Sequence, residues 1–269
     1  MGVVPDQVVC ASDRFPIYYD YARKLIEMGK AYVCFCKGED FKRLKDSKKA
    51  CPHRDTDPEE NLMHWEKMLA GEYEDQQAVL RIKTDIEHKD PALRDWGGAF
   101  RIRKMSHPRP EIGNKYIVWP PLLDFAGAIE DHELGMTHII RGGKDLIDSE
   151  KRQTYIYKYF GWTYPRTTHW GGRVKIHEFG KFSTSTLRKA IESGEYSGWD
   201  DPRLPTIRAI RRRGIRAEAL KKFMIEMGVG MTDVSISMES LYAENRKIVD
   251  PVANRYFFVW DLWSLKLKA

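Results

Sequence analysis

The cysteines of the sequence fall in a pattern that could bind a metal ion. Cys34 and Cys36 are separated by one residue, and after 14 intervening residues Cys51 and His53 repeat that spacing. Three thiolates and an imidazole suit Zn²⁺, and four protein ligands leave no open position for water, so such a site would be structural. It would hold together the lysine-rich loop 42–49, which has little apolar content of its own. The alternative is two buried cysteines, a loop cysteine and a surface histidine, without metal.

A second stretch places hydroxyls and a cation ahead of a helical segment. It reads KFSTST from Lys181 and includes Ser183, Thr184 and Ser185, and a helix is expected over 187–192. Free backbone N–H groups and the dipole at a helix N-terminus both favour an anion there, so the loop could bind phosphate. The alternative is a solvated loop with an ordinary N-cap, which is a common arrangement.

The sequence after this loop is rich in turn-forming and basic residues. It reads GWDDPRLPT at 198–206 and continues into RAIRRR at 208–213. Together with KFSTS, it resembles the nucleotide loop and the following segment of class I glutamyl- and glutaminyl-tRNA synthetases. The resemblance is closest to the archaeal type of glutamyl-tRNA synthetase and runs along nearly the whole chain. GWDDPRLPT is its most specific part.

The resemblance implies an α/β fold: the second half of a Rossmann-type class I synthetase catalytic domain with an inserted α+β acceptor-binding domain and a C-terminal helical domain. The pattern agrees, because a strand, a helix from about Asp124, a strand over 136–140 and a helix over 148–160 predict a parallel sheet with covering helices. The implied domains are a remnant of the first Rossmann half, the acceptor-stem-binding insertion with the zinc site, the second Rossmann half with a KMSKS-like loop, and a helical tRNA-contacting domain. Their bounds are 1–30, 31–114, 115–186 and 187–269.

Further residues acquire roles only through the resemblance. Arg141 ends a predicted strand and matches the arginine that pairs with the carboxylate of the glutamate substrate. A guanidinium suits a carboxylate and not an amide, and glutaminyl enzymes have an uncharged residue there, so Arg141 favours glutamate. Leu123 stands where many relatives have a tyrosine that contacts the amino acid. Arg173 and Val174 match an arginine–apolar pair that contacts the adenine nucleotide.

The implied activity is that of a glutamate–tRNA ligase, which works in two steps. The carboxylate of glutamate attacks the α-phosphate of ATP, and the terminal ribose of tRNA(Glu) then takes the glutamyl group. The implied cofactors are ATP, Mg²⁺ and structural Zn²⁺, and the implied protein is a cytoplasmic monomer with no membrane contact. The catalytic groups that would steady the phosphates are Lys181, Ser183, Thr184 and Ser185. Some glutamyl-tRNA synthetases carry a CxC…CxH zinc site in the insertion, which favours zinc at Cys34, Cys36, Cys51 and His53.

The sequence also departs from the family pattern. It contains no His-x-Gly-His, the motif that binds ATP phosphates in class I synthetases, and Thr184 stands at the second lysine of KMSKS. These departures predict a fragment that lacks the N-terminal motif and the C-terminal anticodon-binding barrels and is inactive by itself. Two other functions are kept open: a glutaminyl-tRNA synthetase, and a non-catalytic RNA-binding module derived from the family. Doublets occur at four places where single residues are expected in relatives, and an extra residue in a strand flips the alternation beyond it unless the strand bulges. They are Gly97-Gly98, Pro120-Pro121, Gly142-Gly143 and Gly171-Gly172.

Composition and charge exclude few functions. The 269 residues carry a net charge of +6, which permits a nucleic-acid partner without requiring one. No apolar run reaches the roughly 20 residues that span a bilayer, and no signal peptide is evident. Alternating cations on two predicted strands form one face of a possible sheet, which is either solvated or contacts an RNA backbone. These cations are Arg81, Lys83, Arg101 and Arg103.

Apolar spacing predicts the remaining elements. Helices are expected over 16–30, 54–74 and 217–228, and a longer helical stretch contains Met238 and Leu241. Strands are expected over 77–84 and within 93–104, and 31–36 is expected to be either a short strand or an extended entry to a loop. The aromatic tail, NRYFFVWDLWSLKL from Asn254, is expected to be exposed apolar surface.

Overall fold

The structure is a computed structural model, and it describes residues 2, 4–102, 107–109, 111, 118–119, 123–143, 146–170, 174–179 and 183–260. The chain forms two compact units. One is Pro5–Gly171, and the other combines Met1–Val4 with Gly172–Ala269. No helix within the described residues is both long enough and apolar enough to cross a membrane.

The unit Pro5–Gly171 contains a four-stranded antiparallel sheet in the order β1-β2-β3-β4. Because successive side chains point to opposite faces, each strand places side chains on both faces of the sheet. Leu80 and Ile82 lie in the main apolar core. Their partners on the first strand are Val33 and Ala31. The strands are β1 Ala31–Cys34, β2 Val79–Ile82, β3 Gly97–Ile102 and β4 Val118–Trp119. The strands predicted over 77–84 and within 93–104 are therefore confirmed, and 31–36 contains the short strand β1.

Helices supply the rest of this core. The helix predicted over 16–30 is confirmed: its residues Tyr18, Ala22 and Leu25 are buried at helical spacing, and Gly29 follows it in a left-handed conformation (φ +64°). The helix predicted within 54–74 begins after Asp57, whose carboxylate accepts the Glu59 N–H. The helices of this unit are α1 Phe15–Glu27, α2 Gly38–Asp46, α3 Pro58–Ala70, α4 Leu123–Glu133 and α5 Ile147–Phe160.

The glycine doublet at 97–98 coincides with an irregularity in the sheet. Leu80 pairs with Phe100, but the next residue, Arg81, pairs with Gly97, so the register shifts between them. A bulge of this kind absorbs extra residues without turning the core-facing side chains outward. Phe100 consequently stays fully buried. The doublets Pro120-Pro121 and Gly171-Gly172 include residues outside the described ranges.

The parallel pairing differs from the prediction. The strand before α4 was expected to run parallel to the strand after it, but β4 pairs antiparallel with β3. The parallel pair is instead β5 (His138–Gly142) with β6 (Arg166–Trp170), and α5 lies between them in the chain. β6 was not predicted from the sequence, because RTTHW has little of the apolar alternation that indicates a strand. The helix predicted over 148–160 is confirmed as α5.

The second unit pairs two short strands, β7 (Val174–Ile176) and β8 (Val234–Ile236), in parallel. β8 was not predicted, since its three residues are too few to show a period. The loop KFSTST was expected to reach position 186, but the helix already begins at Thr184, because Ser183 caps it. The helices are α6 Thr184–Glu192, α7 Ile207–Arg212, α8 Ala217–Met227 and α9 Met238–Val249, which confirms the predicted C-terminal helices. In the tail, Phe257 and Trp260 are 95% and 90% exposed.

Candidate metal centre and substrate-binding residues

The four predicted metal ligands meet in one place. Cys34 ends β1, Cys36 follows it in the loop before α2, and Cys51 and His53 lie in the turn between α2 and α3. The Cys51 sulfur lies 3.6 Å from that of Cys34 and 3.8 Å from that of Cys36. Nδ1 of His53 lies 3.5 Å from the sulfurs of both Cys36 and Cys51. All four donor atoms are within 4.8 Å of one another.

These distances fit a tetrahedral ion. Metal–ligand bonds of about 2.3 Å to sulfur and about 2.0 Å to nitrogen put two sulfurs about 3.8 Å apart, and a sulfur and a nitrogen about 3.5 Å apart. A disulfide would need sulfurs at about 2.05 Å, and all four cysteines of the chain are free. The residues therefore fit a metal site with four protein ligands and no exchangeable position.

The surroundings of the cluster favour the thiolate form of Cys34. The hydrogen bond shared with Cys51 lowers the pKa of the Cys34 thiol to about 4, and the nearby Arg81 guanidinium adds to this effect. The same bond raises the pKa of Cys51, because the pair shares one proton. Cys34 and Cys51 are buried together with Tyr32 and Phe41. The cluster is therefore a low-dielectric site with an adjacent fixed cation.

A buried carboxylate, which the sequence did not reveal, links the cluster to the sheet. Asp95 is fully buried and accepts hydrogen bonds from Arg54 Nε (2.7 Å), the Thr84 N–H (2.8 Å) and the Tyr32 hydroxyl (3.1 Å). Arg54 directly follows the ligand His53, so this network holds the second half of the ligand set against β2. No local signal could have found it, because Arg54 and Asp95 are 41 residues apart.

The expected cationic face of the sheet is only partly present. Arg81 is buried, with 7% of its surface exposed, and its guanidinium lies 3.3 Å from the centre of the Phe41 ring. The prediction that the cations on this face are solvated is therefore wrong at Arg81, because α2 covers its side chain. Lys83 is half-buried and lies 3.3 Å from a carboxylate oxygen of Asp55, while Arg101 is exposed. Arg103 lies outside the described residues.

Arg141 lies in β5 near the end of the strand, as predicted, and has a partner that the sequence did not reveal. Its Nη2 donates to Asp131 of α4 at 2.8 Å, and both side chains are largely buried. Burial raises the pKa of Asp131, although Arg141 opposes the shift. Nη1 of Arg141 and the hydroxyl of Tyr157 are buried without a hydrogen-bond partner among the described residues. The guanidinium is thus fixed at one end and has an unused donor at the other.

The other predicted substrate residues belong to both compact units. Leu123 is the first residue of α4 and is 54% exposed. Val174 is half-buried in β7 and pairs with Val234. The predicted nucleotide residue Arg173 and the predicted phosphate residue Lys181 both lie outside the described residues. The two compact units each contribute part of this set, so its common geometry stays a prediction.

The hydroxyl stretch forms a helix cap. The Ser183 hydroxyl oxygen accepts the Thr186 N–H at 3.1 Å and lies 2.7 Å from the Thr186 hydroxyl and 3.1 Å from that of Ser185. Thr184 and Ser185 are exposed in the first turn of α6. This is the N-cap that the sequence left as an alternative. An anion at this helix start would meet the exposed hydroxyls of the first turn.

One carboxylate, that of Asp201, accepts most of the side-chain hydrogen bonds that hold the turn at 198–206. Asp201 accepts hydrogen bonds from the Ser197 N–H at 3.0 Å and from the Arg203 N–H and Nε at 3.0 and 2.9 Å. The side-chain hydrogen bond from Arg203 holds the pKa of Asp201 well below its usual range. Thr206 then caps α7 by accepting the Ala209 N–H. The turn is thus held by hydrogen bonds among neighbours within residues 195–206.

Comparison with known proteins agrees with this architecture. A crystal structure of glutamate-tRNA synthetase from Elizabethkingia anophelis shares the fold, with a TM-score of 0.55 at 18% identity over 93% of this chain and 58% of that one. Closer relatives are named glutamate–tRNA ligase. The Methanosarcina mazei relative is 95% identical over 268 residues, the Archaeoglobus fulgidus relative 65% over 260, and the Pyrococcus horikoshii relative 57% over 261.

These alignments cover nearly all of this chain, 100%, 97% and 97% respectively, but only 46%, 46% and 45% of the relatives. The chain thus spans about half the length of the curated relatives it matches. The family model described as tRNA synthetases class I (E and Q), catalytic domain, matches residues 1–251. The chain therefore belongs to the class I tRNA synthetases of the glutamate and glutamine (E and Q) family, in the catalytic domain.

Proposed function

We propose that this chain is the catalytic-core part of a glutamate–tRNA ligase, which activates glutamate with ATP and transfers it to tRNA(Glu). The observation that carries the proposal is the 95% identity over 268 residues to a protein of that name. Because the chain spans 46% of that relative, the complete reaction is assigned to a protein of the relative's length. Arg141 supports glutamate over glutamine as the substrate, since a guanidinium pairs with a carboxylate.

The chemistry requires positioning and neutralisation of charge rather than a protein nucleophile. Arg141 would hold the carboxylate of glutamate, with Asp131 fixing one end of the guanidinium while Nη1 keeps its donor available. Leu123 would border the amino acid. Arg173 and Val174 would contact the adenine nucleotide. The Mg²⁺ that accompanies ATP would offset phosphate charge.

The phosphates would be steadied at the start of α6. Lys181 would supply the cation, while the exposed hydroxyls of Thr184 and Ser185 would donate to phosphate oxygens. Ser183 already accepts the Thr186 N–H, so its main contribution would be to set the first turn of the helix. The dipole at the start of α6 would favour the same charge.

Zinc is proposed for the cluster of Cys34, Cys36, Cys51 and His53. The donor set and the distances support it, and the ion would be structural because all four positions are taken by protein. It would join the end of β1 to the turn before α3 and so fix the loop that carries α2. When bound, zinc would supply cross-linking and not a reaction step.

The proposed domain layout follows from the same family. Residues 31–114 would form the acceptor-stem-binding insertion, 115–186 the second Rossmann half with the KMSKS-like loop, and 187–269 the helical tRNA-contacting domain, after the remnant at 1–30. The protein would act in the cytoplasm as a monomer, with tRNA(Glu) and glutamate as partners and no membrane contact.

The proposal is tested in a chimera. The 269 residues replace the matching stretch of the 95% identical relative, and glutamate-dependent exchange between ATP and pyrophosphate is measured. We expect exchange close to that of the unmodified relative with glutamate, and little with glutamine. The 269-residue chain alone contains no His-x-Gly-His, so we expect little exchange from it. A folded chimera that is inactive, or that prefers glutamine, would overturn the proposal.

The role of Arg141 is tested in the same chimera. Arg141→Ala should raise the KM for glutamate at least about tenfold, because a charge-assisted pair with the carboxylate is lost. The KM for ATP should change much less. An unchanged KM for glutamate in a folded variant would remove Arg141 from the amino-acid site.

A further inference from the structure

The position of helix α4 affects both residues assigned to the glutamate substrate. Leu123 is the first residue of this helix, and Asp131, about two turns later, holds the Arg141 guanidinium of β5 at 2.8 Å. A rotation or shift of α4 would therefore move the border of the amino-acid site and the support of its cation together. The contacts that fix α4 consequently bear on substrate binding as well as on stability.

One face of α4 is held by α5, against which it packs. Asp124, Gly127 and Asp131 are spaced by three and four residues, so they lie on the same face of the helix. Asp124 is 4% exposed, and its carboxylate accepts from Arg152 Nη1 at 2.8 Å. The next residue of α5, Gln153, contacts the same first turn. Two adjacent residues of α5 thus anchor the start of α4.

Gln153 uses both ends of its amide between these elements. The side chain is fully buried. Its Nε2 donates to the backbone carbonyl of Leu123 at 3.3 Å, and its Oε1 accepts from the Tyr164 hydroxyl at 2.9 Å. Because one end of the amide donates and the other accepts, the two bonds together fix its orientation. A buried amide that is satisfied in this way specifies one packing geometry.

Gly127 leaves room for this amide. A Cβ at position 127 would lie 2.7 Å from Gln153 Nε2, well inside the optimal separation of non-bonded atoms. Glycine inside a helix is less favourable than alanine, so the close approach of Gln153 accounts for its presence here. The contact between α4 and α5 is therefore fitted to an amide rather than to a general apolar side chain.

We propose that Gln153 is a positioning residue for the glutamate site. It holds the carbonyl of Leu123, and with it the first turn of α4, where Leu123 borders the amino acid and Asp131 meets Arg141. Because Gln153 is fully buried, it acts through α4 and not on the substrate. The assignment rests on the proposed function, in which Leu123 and Arg141 receive glutamate. The alternative is a buried amide that contributes to stability alone.

The first arm of the test measures glutamate-dependent exchange between ATP and pyrophosphate in the chimera. Gln153→Leu removes both hydrogen bonds at a similar side-chain size. We expect it to raise the KM for glutamate about fivefold and the KM for ATP less than about twofold, since Gln153 supports the amino-acid side of the site. A role in stability alone would not separate the two substrates in this way.

Gly127→Ala tests the same contact from α4. The added methyl group displaces the Gln153 amide from the Leu123 carbonyl, although alanine favours a helix more than glycine does. We expect the KM for glutamate to rise at least about threefold in this variant as well. Ile156→Val is the matched control, because it trims a fully buried side chain of α5 and removes no hydrogen bond. It should lower the melting temperature without raising the KM for glutamate.

The second arm needs no activity and uses the 269-residue chain. In a regular helix the Gly127 amide bonds the Leu123 carbonyl, so its hydrogen exchange reports whether the first turn of α4 is held. Gln153→Leu should accelerate exchange of this amide at least about tenfold. The Leu134 amide, which bonds Glu130 at the far end of α4, should change less than about twofold. Ile156→Val should affect the two amides equally.

The outcomes separate the alternatives. Selective acceleration at Gly127 with an unchanged KM for glutamate would overturn the positioning role and leave Gln153 as a structural residue. An equal rise in the KM for glutamate and for ATP, or the same rise in Ile156→Val, would lead to that conclusion too. Equal acceleration at Gly127 and Leu134 would show that Gln153 does not hold the first turn. A wild-type chimera without glutamate-dependent exchange would instead overturn the proposed function, and the glutamate assignment of Gln153 with it.

Discussion

The two compact units hold their functional side chains in different ways. In Pro5–Gly171 the important groups are buried and their partners are distant in sequence: Arg54 and Asp95 are 41 residues apart, and both belong to the network behind the metal ligands. In the unit that contains Gly172–Ala269, the cap and the turn use neighbours: Ser183 accepts from Thr186, and Asp201 from Arg203. That unit has only small apolar clusters among the described residues.

This difference predicts how each unit responds to mutation. A buried group that loses a distant partner leaves an unsatisfied atom inside the protein, which is costly. A local hydrogen bond of an exposed side chain such as Ser183 is replaced by one to water, so its loss costs less, and Asp201, which is 3% exposed but bonded to near neighbours in sequence, lies between the two cases. We therefore expect large, cooperative effects in Pro5–Gly171 and small, localised ones in the cap and the turn.

The largest effect is expected at the metal ligands. Cys51→Ser should reduce bound zinc from about one per chain to nearly none and destabilise the loop between β1 and α3, since structural zinc contributes on the order of 10 kcal/mol in small domains. Metal analysis of protein never exposed to chelator and thermal melting measure both effects. Cys10→Ser, at an exposed cysteine outside the cluster, should leave both unchanged. Undetectable metal in the wild-type protein would contradict the assignment.

The next largest effect is expected at the ion pair beneath β5. Asp131→Asn should lower the free energy of unfolding by about 2–3 kcal/mol, because it leaves the largely buried Arg141 cation without its counter-charge. Urea denaturation measures the change. A double-mutant cycle with Arg141→Gln should show that the losses are not additive. Additive losses would mean that the two side chains act independently, which would contradict the 2.8 Å contact.

A smaller, pH-dependent effect is expected at the 198–206 turn. Because Arg203 lowers the pKa of Asp201 below 3.8, the carboxylate stabilises the folded state above that pH, and this contribution is lost as the pH falls toward the folded-state pKa. Asp201→Asn should lower the melting temperature by a constant amount above about pH 5, and the difference should shrink below about pH 4. Melting curves across this range test it. A difference that grows with acidification would reverse the assigned sign.

The smallest effect is expected at the cap of α6. Ser183→Ala should destabilise this helix by about 1 kcal/mol, which accelerates hydrogen exchange of the Thr186 amide about fivefold without affecting Pro5–Gly171. Ser193→Ala removes a hydroxyl that bonds Ala190 at the far end of the same helix, and it should leave the Thr186 amide unchanged. Equal acceleration in both variants would indicate general fraying rather than a cap.

Ser185→Ala sharpens the comparison between capping and phosphate binding. Since Ser185 is exposed and is not the cap residue, this variant should slow glutamate-dependent exchange in the chimera while leaving the stability of the helix nearly unchanged. Ser183→Ala should affect both. Unchanged exchange in Ser185→Ala would show that the hydroxyls serve the helix alone.

Local features were predictable wherever the chain specifies them within a few residues. Apolar spacing located α1 and α3, and the cap residue Asp57 follows the same local rules. Short strands were harder to predict from the sequence. β6 and β8 were not predicted, because it is their pairing with β5 and β7 that makes them strands. Arg81 was expected on a cationic face, but α2 covers it.

The sequence by itself determined which donor atoms are available, the repeated spacing of Cys34, Cys36, Cys51 and His53, the caps, and the family. Tertiary structure decided that these four donors converge and that Asp131 fixes Arg141. The physical reason is separation along the chain. Capping and periodicity act within a few residues, whereas burial and desolvation depend on segments that only folding brings together.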